Sequence, residues 1–177
     1  LNAHSIDFGY YGLDYTDKLL YTLHGVTWEE KKFMSWQKQL GWDFFYVKRL
    51  DKILKRIKYF VSINPYSRKL VEKKTNAQIF DICNPVPDNY FRIENRNLEN
   101  RLFYIGVISK RKNLFTLIKS LPYVKKQIKD FRLVVAGKIA DKKYFDEMKN
   151  YIKKNNLNKY VIILGKISEE QKLEELS

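Results

Sequence analysis

Three consecutive basic residues follow an apolar run that ends in glycine. The run ends at Gly106, and the basic residues are Lys110, Arg111 and Lys112. The apolar periodicity of a helix then begins at Asn113. A helix N-terminus offers unpaired backbone N–H groups and the positive end of the helix dipole, and basic side chains add mobile charge. A strand, a basic loop and a helix start in this order predict a site for a phosphate-bearing ligand.

The elements that would position these residues alternate between strands and helices. The periodicity predicts strands over residues 18–23, 59–63, 77–82, 102–108, 131–136 and 160–164. It predicts helices over residues 28–58, with a break near Gly41, and over 65–74, 113–127, 142–155 and 169–176. Strands separated by helices of this length imply βαβ units. The predicted fold class is α/β, with two Rossmann-like units that each hold a mostly parallel sheet flanked by helices.

A proline-containing and then polar stretch separates the two units. Residues 84–88 (NPVPD) break regular structure, and a polar stretch runs on to residue 100. We therefore predict a first domain over residues 1–88, a hinge over 89–100 and a second domain over 101–177. Both units are expected to be incomplete within this chain.

Glycine ends each of the three strands predicted for the second domain. These residues are Gly106, Gly137 and Gly165. In a doubly wound sheet, ligands bind at the carboxyl ends of the strands, where glycine lets the backbone approach them. The alternative is that glycine only permits a tight turn from strand to helix.

The composition indicates a folded and strongly basic protein. Hydrophobic residues make up 45% of the chain and aromatic residues 15%, while the net charge is +14 and the pI about 9.7. Such a field attracts nucleic acid, anionic lipid or phosphorylated substrates, although a lysine-rich composition can also reflect an AT-rich genome or a hot habitat. The single cysteine, Cys83, excludes an internal disulfide and favours a reducing, intracellular compartment.

One basic segment has the pattern of an amphipathic helix. Its apolar residues fall on one face: Val47, Leu50, Ile53, Leu54 and Ile57. Lysines and arginines occupy the other faces, with aromatic residues just before them. This pattern fits a helix on a membrane surface, and it fits equally a core helix with a solvated basic back.

Seven short segments occur in an order that carries a family resemblance. They are residues 2–4 (NAH), 21–25 (YTLHG), 60–62 (FVS), 83–86 (CNPV), 104–106 (YIG) with 112–113 (KN), 133–137 (LVVAG) and 161–168 (VIILGKIS). Their order resembles that of the retaining, two-domain (GT-B) glycosyltransferases of the glycosyltransferase group 1 type.

The resemblance implies a nucleotide-sugar donor on the C-terminal domain and a glycan or lipid-linked acceptor on the N-terminal domain. It implies that Lys112 contacts the donor diphosphate, with Gly106 and Gly137 in the same donor site. It further implies that the backbone of Ile167 meets the nucleobase, and that His24 is a catalytic residue near the transferred sugar. The alternative for His24 is a turn histidine that bonds to nearby backbone groups.

The sequence departs from the family pattern in two places. Arginine usually follows the first glycine, where this chain has Val107. Either Arg111 or Lys110 substitutes for it, or donor affinity is weakened. Arg111 is the better substitute because a guanidinium engages phosphate oxygens in pairs. The chain also ends at Ser177, before the paired glutamates of the family, and it lacks the early glycine-rich loop. It therefore resembles the middle of a larger enzyme and is expected to be inactive alone.

The leading hypothesis is a cytoplasmic glycosyltransferase of cell-envelope glycan synthesis, peripheral on the inner face of the membrane. The resemblance implies that neither a metal ion nor another cofactor is required, which agrees with the absence of an Asp-x-Asp pair near a strand end. A basic nucleic-acid-binding α/β module and a non-catalytic scaffold are the alternatives. Nucleic acid is disfavoured because no helix-turn-helix, zinc-finger or aromatic RNA-binding motif accompanies the charge.

Overall fold

The computed structural model describes residues 1–25, 32, 34, 36–94 and 100–177. Contacts divide the chain into two compact units, Leu1–Pro85 and Val86–Ser177. Each unit holds one parallel β-sheet with helices, which confirms the predicted α/β fold class. Within the described residues, no helix combines the length and the apolar character that crossing a membrane requires.

The first unit alternates strands and helices. Its strands are β1 (Asn2–Ala3), β2 (Leu20–Leu23), β3 (Tyr59–Ser62) and β4 (Gln78–Asp81). Its helices are α1 (Ile6–Tyr11), α2 (Trp36–Trp42), α3 (Lys48–Arg56) and α4 (Pro65–Val71). A 3₁₀ segment spans Gly12–Lys18, and a π-helical segment, Asp43–Val47, joins α2 to α3.

The strands of the first unit pair in chain order, β1-β2-β3-β4, and every pair is parallel. The predicted apolar face of α3 packs on this sheet, because Leu50, Ile53 and Leu54 are fully buried in one cluster with Tyr21 and Phe60. This apolar face therefore belongs to the core, as the core-helix alternative expects.

The helix predicted over residues 28–58 is correct in part. Gly41 lies inside α2, so the predicted break there is wrong. A glycine in an exposed helix costs about 1 kcal/mol relative to alanine, which weakens a helix without ending it. The irregularity falls instead on the π-helical segment Asp43–Val47. Residues 28–31, 33 and 35 of the predicted helix lie outside the described residues.

Helix α4 is capped at its N-terminus. The Oδ1 atom of Asn64 accepts a hydrogen bond from the backbone N–H of Ser67 at 2.8 Å, and Pro65 occupies the first turn of the helix. Helix α4 is shorter than predicted and ends at Val71.

The second unit begins with a 3₁₀ turn, Asp88–Arg92. It contains strands β5 (Arg101–Ile105), β6 (Arg132–Ala136) and β7 (Val161–Gly165) and helices α5 (Leu114–Gln127), α6 (Lys142–Lys154) and α7 (Glu169–Leu176). The sheet order is β5-β6-β7, with both pairs parallel. Residues 95–99 of the predicted hinge lie outside the described residues.

The core of the second unit lies between one face of its sheet and two helices. Leu133 and Val135 of β6 pack against Ile118 and Leu121 of α5 and Met148 of α6, and all five side chains are fully buried. Both helices therefore lie against the strands whose carboxyl ends carry the predicted donor site.

Candidate functional site

The three strand-end glycines of the second unit lie along one edge of its sheet. The N–H of Gly106 donates to the carbonyl oxygen of Ala136 at 3.0 Å, and the N–H of Gly137 donates to that of Gly165 at 2.6 Å. The carboxyl ends of β5, β6 and β7 are thus joined directly through backbone hydrogen bonds.

Backbone geometry explains why two of these positions hold glycine. Gly137 has φ +147°, and a Cβ atom there would lie 1.9 Å from the carbonyl oxygen of Gly106. Gly165 has φ +73°, with open space where its Cβ would stand. Both φ values lie in a region that side chains disfavour. Backbone geometry thus favours glycine at both positions, at Gly165 through its positive φ and at Gly137 also through the close approach of the Gly106 backbone.

The loop after β5 is held against the loop after β6. The N–H of Ile108 donates to the carbonyl oxygen of Lys138 at 2.8 Å, and the N–H of Ala140 donates to that of Ile108 at 3.1 Å. The side chain of Ile108 is fully buried, whereas Val107 is 42% exposed. The strand predicted to reach residue 108 ends at Ile105, since the chain leaves the ladder before it pairs again at Ile108.

The basic residues form a single 3₁₀ turn, Lys110–Lys112, directly before α5. The N–H of Lys112 donates to the carbonyl oxygen of Ser109 at 3.0 Å, and the N–H of Asn113 donates to that of Lys110 at 3.2 Å. All three basic side chains are exposed, and none forms an ion pair with a residue that the structure describes. A fixed backbone therefore presents three mobile positive charges.

The N-terminus of α5 differs from the prediction. Asn113 adopts a left-handed conformation with φ +54°, so the helix begins one residue later, at Leu114. The N–H of Phe115 donates to the hydroxyl of Tyr144 at 2.7 Å, and the N–H of Thr116 donates to the carbonyl oxygen of Asn113 at 3.1 Å. The N–H groups of Phe115 and Thr116 therefore already have acceptors. The prediction of unpaired N–H donors at this helix start is wrong for these two groups.

Two tyrosines lie beside this helix start. Tyr144 is almost fully buried, and Tyr104 is half-buried with its hydroxyl oxygen 3.2 Å from the Cβ position of Gly106. Burial, and secondarily the nearby Tyr144, raise the pKa of the Tyr104 hydroxyl above its usual value. At neutral pH this phenol is a neutral hydrogen-bonding group close to the strand-end glycine.

Ile167 lies in the short loop between β7 and α7, at the same carboxyl edge of the sheet. It is half-buried and directly precedes Ser168, which caps α7. The hydroxyl of Ser168 accepts from the N–H of Gln171 at 3.2 Å, and the side-chain oxygen of Gln171 accepts from the N–H of Ser168 at 2.9 Å. This reciprocal cap fixes the backbone next to Ile167.

The predicted catalytic residue His24 lies in the first unit, and its imidazole contacts that of His4. Each histidine directly follows a strand, His4 after β1 and His24 after β2. The Nδ1 atom of His4 and the Nε2 atom of His24 are 2.8 Å apart. No chemistry is predicted for His4. The signal that points to it is a histidine at the same end of two successive strands, which become neighbours in a parallel sheet.

The two histidines line a cleft of about 310 Å³ in the first unit. Its lining includes Asp7, Tyr21, Trp42 and Tyr46. The Oδ1 atom of Asp7 pairs with the Nη1 atom of Arg49 at 2.5 Å, and burial raises the pKa of the Tyr21 hydroxyl. The cleft is thus lined by aromatic rings, two imidazoles and one paired carboxylate, which suits a hydroxyl-rich ligand.

The part of the chain that the structure describes contains no group of three or more histidine, cysteine, aspartate or glutamate side chains with metal-binding geometry.

Comparison with solved structures gives matches along nearly the whole chain. Sucrose-phosphate synthase from Thermosynechococcus elongatus has 19% identity and a TM-score of 0.68, over 97% of this chain and 46% of that chain. HepE from Anabaena, in complex with UDP and glucose, has 15% identity and a TM-score of 0.66, over 99% and 50%. A TarM mutant from S. aureus, in complex with Fondaparinux, alpha-GlcNAc-glycerol and UDP, has 18% identity and a TM-score of 0.58, over 96% and 38%.

These identities support a shared fold, that of the GT-B glycosyltransferases. The chain spans half or less of the length of each of these three structures. A comparison with curated proteins gave no match. The family model "Glycosyl transferases group 1" matches residues 87–177, just over half of the chain. With this match and the fold of both units, the chain belongs to the glycosyl transferases group 1 family.

Proposed function

We propose that the protein transfers a sugar from a nucleotide-sugar donor to a glycan or glycolipid acceptor, with retention of configuration and without a metal ion. The second unit binds the donor, and the first unit binds the acceptor. The observation that carries the proposal is the exposed basic turn Lys110–Lys112, fixed at the carboxyl edge of the second sheet. HepE and TarM, which share the fold, are described in complexes with UDP.

In this proposal Lys112 pairs with the donor diphosphate, and Arg111 takes the part of the arginine that Val107 replaces. The leaving nucleotide gains negative charge as the glycosidic bond breaks. A positive group fixed at that position stabilises the transition state more than the bound substrate, so it accelerates the reaction. The lysine and arginine supply the charge that a metal ion would otherwise provide.

The proposal assigns one further donor contact to the second unit and one sugar contact to the first unit. The backbone at Ile167, held by the adjacent cap of α7, contacts the nucleobase. His24, in the cleft of the first unit, lies near the transferred sugar and bonds to its hydroxyl groups. The aromatic and imidazole lining of that cleft is suited to a sugar, which combines apolar ring faces with many hydroxyls.

A basic helix in the first unit supports an anionic membrane as a further partner, with the protein peripheral on the cytoplasmic face. Lys48 and Lys55 of α3 are exposed, and Phe44 and Phe45 just before them are 62% and 52% exposed. Exposed aromatic rings beside lysines are typical of helices that lie in the membrane interface. A lipid-linked acceptor would be reached from such a surface.

Ligand-dependent melting tests the donor proposal. A ligand that binds only the folded state stabilises it by about 2.7 kcal/mol at a concentration of 100 Kd. We expect a UDP-, GDP- or ADP-sugar to raise the Tm of the wild-type chain. The rise should be lost in Lys112→Ala and kept in Lys129→Ala, which removes an exposed lysine just before β6, at the opposite edge of the sheet. A panel of nucleotide sugars that leaves the Tm unchanged would exclude the proposal.

A further inference from the structure

We propose that His4 is a positioning residue for His24. The His4 ring holds the Nε2 atom of His24 by a hydrogen bond, so that the Nδ1 atom of His24 is presented to the sugar. The role of this nitrogen toward a sugar rests on the proposed function. The imidazole pair itself is a property of the first unit and can be tested without any substrate.

Backbone pairing brings the two histidines together. Strands β1 and β2 are parallel, with Asn2 opposite Leu20 and Ala3 opposite Tyr21, and each histidine follows the end of its strand. The chain around His4 is fixed on its other side as well, because Ser5 caps α1 by accepting from the N–H of Phe8.

Helix α1 is in turn held close to β2 by a glycine. A Cβ atom on Gly9 would lie 2.6 Å from the ring of Tyr21, a distance at which either the helix or the ring would have to shift. Gly9 is therefore the residue type that lets α1 lie against the buried Tyr21. The contact between His4 and His24 thus arises from neighbouring strands and a tightly packed helix.

The geometry of the two rings indicates an N–H···N hydrogen bond. The nitrogens are 2.8 Å apart, while the ring centroids are 5.1 Å apart and the planes meet at 28°. Rings stacked face to face with nitrogens this close would bring their centroids nearer together. The rings therefore meet edge to edge, with the Nδ1 atom of His4 and the Nε2 atom of His24 pointing at each other.

Such a bond contains one proton between the two nitrogens. If His24 donates from Nε2, a neutral His24 has an acceptor at Nδ1. If His4 donates from Nδ1, a neutral His24 has an N–H donor at Nδ1. The tautomer of His4 therefore decides whether His24 accepts a hydrogen bond from a sugar hydroxyl or donates one to a sugar oxygen.

The other groups of the cleft leave this pair undisturbed. The carboxylate of Asp7, which lines the same cleft, is paired with Arg49. Neither imidazole forms another hydrogen bond or an ion pair within the described part of the chain. No described residue bonds to the Nδ1 atom of His24 or to the Nε2 atom of His4.

The composition makes a direct spectroscopic test practical. The chain contains only two histidines, so labelling with ¹⁵N-histidine gives two imidazole ring systems and both belong to the pair. We expect a through-hydrogen-bond ¹⁵N–¹⁵N coupling between His4 Nδ1 and His24 Nε2 in the wild-type chain at neutral pH. Two rings with no coupling, each showing the tautomer mixture of a free imidazole, would overturn the proposal.

Variants of His4 separate positioning from a structural role. His4→Ala should change the ring nitrogen shifts of His24 toward those of free histidine. His4→Asn, whose side-chain amide can still hydrogen-bond near the Nδ1 position, should keep them closer to wild type. Both histidines are exposed, so amide signals of the buried β2 and β3 residues should stay in place. Unchanged His24 shifts in His4→Ala would contradict the proposal.

The outcome is independent of the donor proposal. If the two imidazoles are coupled but the chain binds no nucleotide sugar, the hydrogen bond between His4 and His24 is supported and its link to sugar transfer is not. Binding of a nucleotide sugar without a coupled pair would retain the donor site and exclude His4 as a positioning residue.

Discussion

At the residue scale, the basic turn before α5 depends on residues that cap and hold it. Asn113 takes the left-handed conformation that closes the turn, and Tyr144 accepts a hydrogen bond from the N–H of Phe115. Lys110, Arg111 and Lys112 are exposed to solvent while the Phe115 N–H at the helix start has an acceptor. The proposed donor contact by Lys112 rests on this local arrangement.

Removing the Tyr144 hydroxyl should destabilise the second unit. Tyr144→Phe leaves the Phe115 N–H without its acceptor, at a cost of about 1 to 3 kcal/mol in the free energy of unfolding. Urea unfolding followed by circular dichroism would measure it. Tyr123→Phe is the matched control, because Tyr123 is 71% exposed and its change should stay within roughly 0.5 kcal/mol. Equal midpoints for the two variants would show that the capping bond adds little.

The sequence predicted some of these residues and missed others for a physical reason. Lys110, Arg111 and Lys112 were predicted because neighbouring residues form their pattern. Tyr144 and His4 were assigned no role because their partners lie 29 and 20 residues away, across elements that only folding brings together. For Tyr144 such a contact leaves no local pattern in the sequence, and for His4 the signal is the histidine that follows each of two successive strands.

At the element scale, the carboxyl edge of the second sheet is built from backbone contacts. Gly137 passes so close to the Gly106 carbonyl that any side chain would collide with it. Hydrogen bonds from Ile108 and Ala140 continue this contact into the loops beyond the strands. The basic turn is thus attached to a rigid edge, which is what a site for a charged transition state requires.

Alanine substitutions at Gly137 and Gly165 should destabilise the second unit to different extents. In Gly165→Ala the new methyl group would stand in open space. The free energy of unfolding should fall by about 1 to 2 kcal/mol, the usual penalty for alanine in a left-handed conformation. Gly137→Ala should cost clearly more, because its methyl would lie 1.9 Å from a backbone oxygen that no rotamer change can move. Unfolding free energies from urea titration compare the two. A smaller loss in Gly137→Ala than in Gly165→Ala would contradict this description of the edge.

Element types were predicted better than element ends. Strand β5 ends at Ile105 and the chain pairs again only at Ile108. Helix α5 begins one residue later than predicted because Asn113 has a positive φ. Gly41 predicted a break in the helix, yet α2 continues through this residue and the π-helical segment begins only at Asp43. Tertiary packing decides such details, whereas periodicity indicates most of the helices and strands, with α1 (Ile6–Tyr11) as one helix that it missed.

At the scale of the whole molecule, the net charge of +14 gives the protein a long-range attraction for anions. Part of this charge is placed where the proposed ligands need it, on the turn of the second unit and on α3 of the first. The nucleic-acid alternative would use the same charge without those particular positions. The alternative of a non-catalytic scaffold is supported by Val107, because the family's arginine is absent at this position and its absence would weaken binding of a diphosphate.

Vesicle binding should depend on α3 more than on the net charge alone. A lysine near an anionic surface contributes about 1 kcal/mol, so Lys48→Glu with Lys55→Glu should lower affinity for phosphatidylglycerol vesicles by at least roughly tenfold. Lys149→Glu with Lys153→Glu on α6 makes the same change in net charge and should do less. Co-sedimentation at low and physiological salt measures both. Equal losses would indicate non-specific attraction, and tighter, salt-resistant binding to RNA or DNA would favour the nucleic-acid alternative.

The central claim, that residues 106–113 hold the donor diphosphate, is tested most directly by amide-resolved NMR. UDP, GDP and ADP would each be titrated against the matching nucleoside, so that the difference isolates the two phosphates. We predict that at least one diphosphate perturbs amides 106–113, that its nucleoside does not, and that Lys112→Ala abolishes the effect while Lys129→Ala retains it. Perturbations absent with all three diphosphates, or unchanged in Lys112→Ala, would contradict the claim.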